Sequence, residues 1–171
     1  PNDFRVYLLP ENQELPFKQQ VAWEGADVGD DDYPSGRLAN KIIEDFKRAK
    51  AAGTPFFITA GFTKPHLPFN APKKYWDLYD EESIQLADNP YKPIGAPRQA
   101  MHGFHELRGY GNIPDEGPIS EETARSLIHG YYASTSYTDA LVGRLLNALT
   151  DLEMDSDTIV LLIGDHGWQL G

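Results

Sequence analysis

Two nearly continuous apolar runs, each preceded by an amphipathic pattern, constrain the fold of this chain more than any other feature. The first run is residues 55–61, PFFITAG, and the second is residues 158–163, TIVLLI. Short runs of β-forming residues bounded by proline, glycine or an acidic turn are typical of strands that are buried on both faces. The sequence therefore predicts two buried strands.

Each predicted strand follows a predicted helix. The first helix places apolar residues at three- and four-residue spacing, at Leu38, Ile42, Ile43, Phe46 and Ala49. Ser35 is its candidate N-cap and Gly53 lies just past its end. A longer pattern begins at Ser120 and continues to about Thr150. The order helix, strand, helix, strand predicts an α/β fold with a mostly parallel sheet flanked by helices.

Two stretches of the chain lack a regular pattern. Residues 89–118 contain too many prolines and glycines for long helices or strands, yet carry aromatic residues throughout. We expect an ordered, irregular excursion there, and long loops of this kind in compact domains are often functional. The first thirty residues also show no clear period, and they predict a loop with at most one short strand.

The composition excludes several classes of partner and site. The chain carries 15 Lys and Arg residues against 26 Asp and Glu residues, which gives a net charge of -11. It lacks the basic surplus that releases counterions from phosphates, so we expect no nucleic acid partner and no anionic membrane. No run approaches the ~18 apolar residues of a transmembrane segment. Because cysteine is absent, these residues hold no disulfide, thiolate metal ligand or cysteine nucleophile.

Polar side chains that could bind a metal or an anion follow both predicted strands. Lys64 and His66 come after the first run, and Asp165 and His166 come directly after the second. Ligands of open α/β sheets bind outside the carboxyl ends of the strands. An aspartate and a histidine at such an end, flanked by glycines, are plausible as half of a metal site. Lys64 and His66 are candidate anion-binding residues.

Each of these residues also has a purely structural interpretation. Asp165 suits a turn or a helix N-cap, and His166 suits a half-buried packing position. Lys64 is equally compatible with a lysine that points into water, and His66 with a histidine packed between prolines. Spacing alone does not decide between these interpretations and the functional ones.

Four other potential ligands favour a structural role. His102, His105 and Glu106 lie in the excursion between glycines, where no helix or strand pattern would hold them in register. We therefore favour ordinary loop side chains over a metal site at these positions. His129 falls on the long predicted helix, where packing is the simpler interpretation.

Three sequence blocks resemble the sulfatase family of the alkaline-phosphatase-like superfamily. They are PFFITAGFTKPHLPFNAPKKYWDLYD, GYYASTSYTDALVGRLLNAL and TIVLLIGDHGWQLG. The blocks occur in family order from about Asp30 to Gly171, and the iduronate-2-sulfatase-like subgroup is the nearest in pattern. The strings KPHLPF and DHGWQLG are the most specific. The resemblance implies an alkaline-phosphatase-like core, with residues 1–171 as an internal part of a single sulfatase catalytic domain.

The resemblance implies a role for each candidate residue. Asp165 and His166 match the family's second pair of metal ligands, which normally hold Ca²⁺ against the sulfate. Calcium prefers oxygen ligands, whereas the imidazole of His166 offers nitrogen. Zn²⁺ or another divalent metal is therefore the alternative. His66 matches the histidine that hydrogen-bonds the sulfate or assists the leaving oxygen, and Lys64 is similar to a subgroup lysine beside it.

Parts of the family's catalytic machinery have no match in this sequence. The Cys/Ser-x-Pro-x-Arg block, which yields the formylglycine nucleophile, and the first pair of metal-ligating aspartates lie upstream in the family. A further lysine follows the DHGWQLG block. The resemblance therefore implies that the remainder of a parent chain completes the site, and that the 171 residues alone are inactive.

Three functions remain open at this level. The first is hydrolysis of sulfate monoesters, on a sulfated sugar or glycosaminoglycan, by an enzyme outside the cytoplasm, whether periplasmic, secreted or lysosomal. The second is hydrolysis of phosphodiesters or phosphonate monoesters by the same superfamily architecture. The third is a non-catalytic binding protein built on a sulfatase fold.

Overall fold

Two long helices and a small parallel sheet form the framework of the chain. The computed structural model describes residues 5–101 and 103–168. In chain order its helices and strands are α1 (Pro10–Gln13), β1 (Trp23–Ala26), α2 (Pro34–Ala52), β2 (Phe69–Pro72), α3 (Lys73–Trp76) and α4 (Glu121–Asp151). Short 3-10 helices lie in the connections, and residues 89–118 contain two of them.

The sheet pairs β1 with β2 in parallel. Trp23 lies opposite Phe69 and Ala26 lies opposite Pro72. The connection between the two strands contains α2, as parallel pairing requires a long crossover. α4 packs against both β2 and α2. The predicted α/β class, with parallel strands flanked by helices, is confirmed.

Local signals fix the ends of the long helices. α2 begins at Pro34, so Ser35 lies in its first turn and is not the N-cap. Proline is suited to this position because its missing N–H has no partner there in any case. Gly53 ends the helix with a left-handed φ of 61°. Ser120 caps α4, and its hydroxyl accepts a hydrogen bond from Thr123 N at 3.1 Å.

The buried side chains form two apolar clusters. The first joins the facing sides of α2 and α4 to the sheet, through residues that include Ala26, Ile42, Phe46, Ala71, Tyr137, Leu141 and Leu145. The second joins the excursion to the start of β2 and to α4, through Ala22, Leu67, Phe69, Leu107, Tyr110, Ile113 and Leu127. The excursion is therefore packed on the domain despite its irregular backbone.

The two apolar runs do not form buried strands, and this prediction is wrong. Neither residues 55–61 nor residues 158–163 belong to a strand. Phe57, Ile159 and Leu161 are 95%, 90% and 80% exposed. A strand forms where a neighbour satisfies its N–H and C=O groups, and between residues 5 and 168, apart from position 102, no strand pairs with either run. His66 consequently precedes β2 and does not follow a strand.

Two glycines on α4 provide a matched test of this packing. An alanine Cβ at Gly130 would lie 2.8 Å from Trp76 Cη2 and 2.9 Å from Phe69 Cβ, whereas one at Gly143 would meet no atom within 4 Å. We expect Gly130→Ala to lower the free energy of unfolding by about 1–3 kcal/mol through overpacking. Gly143→Ala should raise it by up to about 1 kcal/mol through helix propensity.

The measurement is urea unfolding of the intact protein carrying either substitution. Equal stability of the two variants would contradict the close contact of α4 with α3 and β2.

Candidate functional site

Lys64 is buried beside the loop that leads into β2. The residue is 8% exposed. Its ammonium group donates to the carbonyl oxygen of His66 at 3.3 Å and to that of Pro68. The Thr138 hydroxyl on α4 donates to the Lys64 carbonyl at 3.4 Å. The lysine thus holds its own loop together and is not the solvated side chain of the structural interpretation.

Burial changes the protonation of this lysine. Loss of water lowers the pKa of Lys64 to about 7, and the carboxylate of Glu24 opposes this shift. Glu24 is itself only 2% exposed. At neutral pH the lysine is therefore divided between its charged and neutral forms, which is the behaviour expected of a group at a functional site.

A small cavity lies next to Lys64. Its volume is about 30 Å³, and Tyr33, Ser35, Thr63 and Tyr137 are among the residues that line it with Lys64. A space of this size holds a water molecule and is too small for an ester substrate. Any substrate that meets this loop must approach from the exposed side, where His66 lies.

His66 presents one ring nitrogen to the surface. Its Nδ1 lies 2.6 Å from the carbonyl oxygen of Leu67. Because a carbonyl only accepts hydrogen bonds, Nδ1 carries the proton. Nε2 lies 3.5 Å from Glu106 Oε1, with the side chains of His66 and Glu106 36% and 38% exposed. The ring is therefore oriented with Nδ1 on the Leu67 carbonyl and Nε2 beside Glu106.

Asp165 and His166 are both open to solvent. Their side chains are 94% and 72% exposed, and Nε2 of His166 lies 3.8 Å from Asp165 Oδ2. The His166 backbone N–H donates to Asp165 Oδ1 at 3.0 Å. Within the described part of the chain, no group of three His, Asp or Glu residues could hold a metal ion. One carboxylate and one imidazole fit a divalent cation, and further ligands must join them to close a site.

Aromatic packing anchors the Asp165 segment near the His66 loop. The ring of Trp168 meets Phe69 edge to face, with 6.2 Å between the ring centres. Phe69 is the first residue of β2 and follows His66 by three positions. This contact places Trp168, which follows Asp165 by three positions, beside the first residue of β2.

The remaining histidines and acids of the sequence analysis have separate outcomes. His129 is buried on α4, where Nε2 lies 2.8 Å from the Trp76 carbonyl oxygen, so its packing role is confirmed. His102 lies outside the described residues, as do residues 169–171 of the DHGWQLG string. The sequence favours an ordinary loop role for Glu106, yet the structure places its carboxylate 3.5 Å from His66 Nε2. The one feature of the sequence that could have indicated an ordered position for Glu106 is the apolar Leu107 that follows it.

Comparison with known proteins identifies relatives that match most of the chain. The family model described as Sulfatase matches residues 5–171. The chain is 38% identical to iduronate 2-sulfatase of Homo sapiens over 151 residues, which cover 82% of this chain and 28% of that protein. It is 34% identical to choline-sulfatase of Rhizobium meliloti over 141 residues, 78% of this chain and 26% of that protein.

A relative of lower identity is described as a member of the alkaline phosphatase superfamily. The chain is 30% identical to the multifunctional alkaline phosphatase superfamily protein PehA of Trinickia caryophylli over 131 residues, 70% of this chain and 24% of that protein. The matched part of each of these three relatives is thus between 24% and 28% of its length. Among the described residues, none of the helices is long and apolar enough to cross a membrane.

Replacement of Lys64 tests its burial through the pH dependence of stability. The folded pKa of about 7 lies below the usual 10.5, so the unfolded chain binds more protons between these two values. Stability therefore rises with pH in this window. Lys64→Met removes the effect, so the stability of the wild type relative to the variant should rise by roughly 1 kcal/mol per pH unit.

Urea unfolding of the intact protein between about pH 7 and about pH 9 measures this difference. Lys47→Met, which removes an exposed lysine of α2, is the control and should leave the slope unchanged. A parallel pH dependence of wild type and Lys64→Met would show that Lys64 is solvated.

Proposed function

Because this chain belongs to the sulfatase family, we propose that the protein containing it hydrolyses sulfate monoesters. On this proposal the 171 residues are an internal part of a single catalytic domain. The observation that carries it, beside the family match over residues 5–171, is the contact of Trp168 with Phe69. That contact supports a shared site for Asp165, His166 and His66.

In the proposed site, Asp165 and His166 hold a divalent metal ion. Calcium follows from the family resemblance, while the nitrogen ligand of His166 keeps zinc as the alternative. A metal held by these two residues would supply Lewis-acid polarisation of the sulfate ester and stabilisation of the negative charge that develops in the transition state. The nearly complete exposure of the Asp165 carboxylate supports this role, because its oxygens are accessible to an ion.

His66 and Lys64 act on the sulfate ester itself. Nδ1 of His66 is bonded to the Leu67 carbonyl, so Nε2, on the partly exposed side chain beside Glu106, is the nitrogen suited to hydrogen-bond the leaving oxygen or to protonate it. Lys64 contributes positive charge next to the same loop. Its ammonium group binds sulfate directly only after it leaves the carbonyl of Pro68. In its present position, it orients the backbone that carries His66.

The two exposed apolar runs support the proposal that the domain extends beyond these residues. Residues 55–61 and 158–163 have the composition of buried strands but lack pairing partners in the part of the chain that the structure describes. In the proposed parent protein, other strands of the sheet cover them. The same remainder supplies the formylglycine nucleophile and the first pair of metal ligands, so the 171 residues alone are inactive.

Similarity to iduronate 2-sulfatase gives the proposed substrate class. At 38% identity over 151 residues, a sulfated sugar or glycosaminoglycan fragment is the substrate that the sequence favours. A location outside the cytoplasm, whether periplasmic, secreted or lysosomal, accompanies this assignment. The net charge of -11 does not oppose it, because a bound cation and nearby cationic side chains dominate the local potential.

A second candidate function is hydrolysis of phosphodiesters or phosphonate monoesters. The 30% identity to a multifunctional alkaline phosphatase superfamily protein favours it. That activity would depend on a transition metal and an unmodified serine or threonine nucleophile, whereas the sulfatase would carry formylglycine. The third candidate is a non-catalytic binding protein on the same fold.

The test is hydrolysis of an aryl sulfate and an aryl phosphonate by the intact protein. We expect the sulfate to be the better substrate, and Asp165→Ala to lower kcat/KM by roughly 100-fold or more through loss of the metal. Asp157→Ala, which removes an exposed acid eight positions upstream, should be neutral. Chelation should abolish the activity and calcium should restore it.

Each contrary outcome selects another function. Faster hydrolysis of the phosphonate, restored by zinc, would support the second candidate. Metal binding without hydrolysis of either ester would support the binding protein. Full activity of Asp165→Ala would remove Asp165 from the metal site.

A further inference from the structure

Core packing fixes the position of Glu106 relative to His66. Leu67 and Leu107 are 0% and 5% exposed, and both belong to the second apolar cluster, with Phe69. His66 and Glu106 each directly precede one of these leucines. The burial of the two leucines therefore sets the 3.5 Å separation between His66 Nε2 and Glu106 Oε1.

Hydrogen bonds hold the turn that carries Glu106. The guanidinium of Arg108 donates to the carbonyl oxygens of Pro114 and Gly117, at 2.8 Å and 2.7 Å. The backbone N–H of Gly111 donates to the Gln20 carbonyl at 2.7 Å, which fastens the excursion to the segment before β1. Glu106 is thus presented from an ordered scaffold within the otherwise irregular residues 89–118.

The geometry of the His66 ring gives this carboxylate a specific effect. Nδ1 keeps its proton because it donates to the Leu67 carbonyl. Nε2 is then the nitrogen that gains and loses a proton, and it faces the carboxylate. The Glu106 carboxylate therefore contacts the ring at Nε2, while the Lys64 ammonium donates to the backbone carbonyl of the same residue.

We propose that Glu106 is a positioning residue for His66, whose carboxylate orients the imidazole ring through its contact with Nε2. The inference rests on the proposed function of His66 as the acid that assists the leaving oxygen. As sulfur gains a bond to the oxygen of the nucleophile, its bond to the substrate alcohol breaks and the electron pair stays on the leaving oxygen. That oxygen takes the Nε2 proton, which leaves a neutral ring, and Glu106 remains ionised throughout.

The test compares substrates whose leaving groups differ in their need for an acid. In the intact protein, Glu106→Gln should lower kcat for an alkyl sulfate by about tenfold or more. Its effect on 4-nitrophenyl sulfate should be less than about threefold, because nitrophenolate leaves without a proton. KM should change little, because Glu106 acts on the orientation of His66 and not on the binding of the substrate.

Two further variants complete the design. Glu106→Asp keeps the charge and should recover part of the lost activity. Glu116→Gln makes the same charge change at an exposed position of the excursion and should match the wild type. A merely structural role of Glu106 would lower kcat for both substrates equally, which would overturn the inference.

A spectroscopic readout separates this inference from the proposed function. In protein labelled with ¹⁵N-histidine, the ring resonances of His66 should shift in Glu106→Gln and stay in place in Glu116→Gln. If the wild type hydrolyses no sulfate ester, the proposed function fails, and with it the role of Glu106 in the step that protonates a leaving oxygen. Unchanged His66 resonances in Glu106→Gln overturn the pairing itself.

Discussion

The buried carboxylate of Glu24 is the interaction on which the rest of the structure depends. It accepts hydrogen bonds from the backbone N–H groups of Leu8 and Leu9, at 2.7 Å and 3.1 Å, and from Asn12 Nδ2 at 2.9 Å. The Tyr33 hydroxyl donates to it at 2.8 Å. A charge that is 2% exposed is tolerated when its oxygens are satisfied in this way. These bonds tie the N-terminal segment, β1 and the start of α2 to one point.

A second set of bonds extends this frame to α4. The Tyr137 hydroxyl donates to the Asp30 carbonyl at 2.6 Å and accepts from the Gly36 backbone N–H at 2.9 Å. Gly36 permits this close approach, since a Cβ there would lie 1.9 Å from the Asp30 carbonyl oxygen. With α2 and α4 fixed to each other, β2 packs against α4, and the Lys64 carbonyl, which accepts from Thr138 on α4, joins its loop to this frame.

The sequence predicts the parts of the fold that depend on local order. The helices appear as a 3.6-residue period with end signals at Gly53 and Ser120, and both are observed. Strand pairing is non-local and does not follow from composition alone. The segments of β1 and β2, WEGA and FNAP, are poor in β-formers, yet they form strands because they pair with each other and α4 packs against them. The runs 55–61 and 158–163 carry the stronger strand signal and remain unpaired.

The same distinction applies to the candidate site. Lys64, His66, Asp165 and His166 were singled out because each follows a recognisable run and matches a family block. No pattern along the chain relates Glu106 to His66, which lies 40 positions earlier. Their proximity arises from the burial of two leucines in one cluster, and a contact of this kind becomes visible only when the chain is folded.

The protonation of Lys64 connects the frame to the proposed chemistry. A permanently charged lysine at this depth would carry a large desolvation cost. Because burial lowers the pKa of Lys64 to about 7, the lysine can avoid this cost by losing its proton. An anion that enters beside the loop favours the charged form, so binding and protonation reinforce each other. The negative charge of Glu24 opposes this lowering of the Lys64 pKa. A buried carboxylate that first serves the fold thereby also influences how readily Lys64 becomes cationic, as the proposed anion-binding role requires.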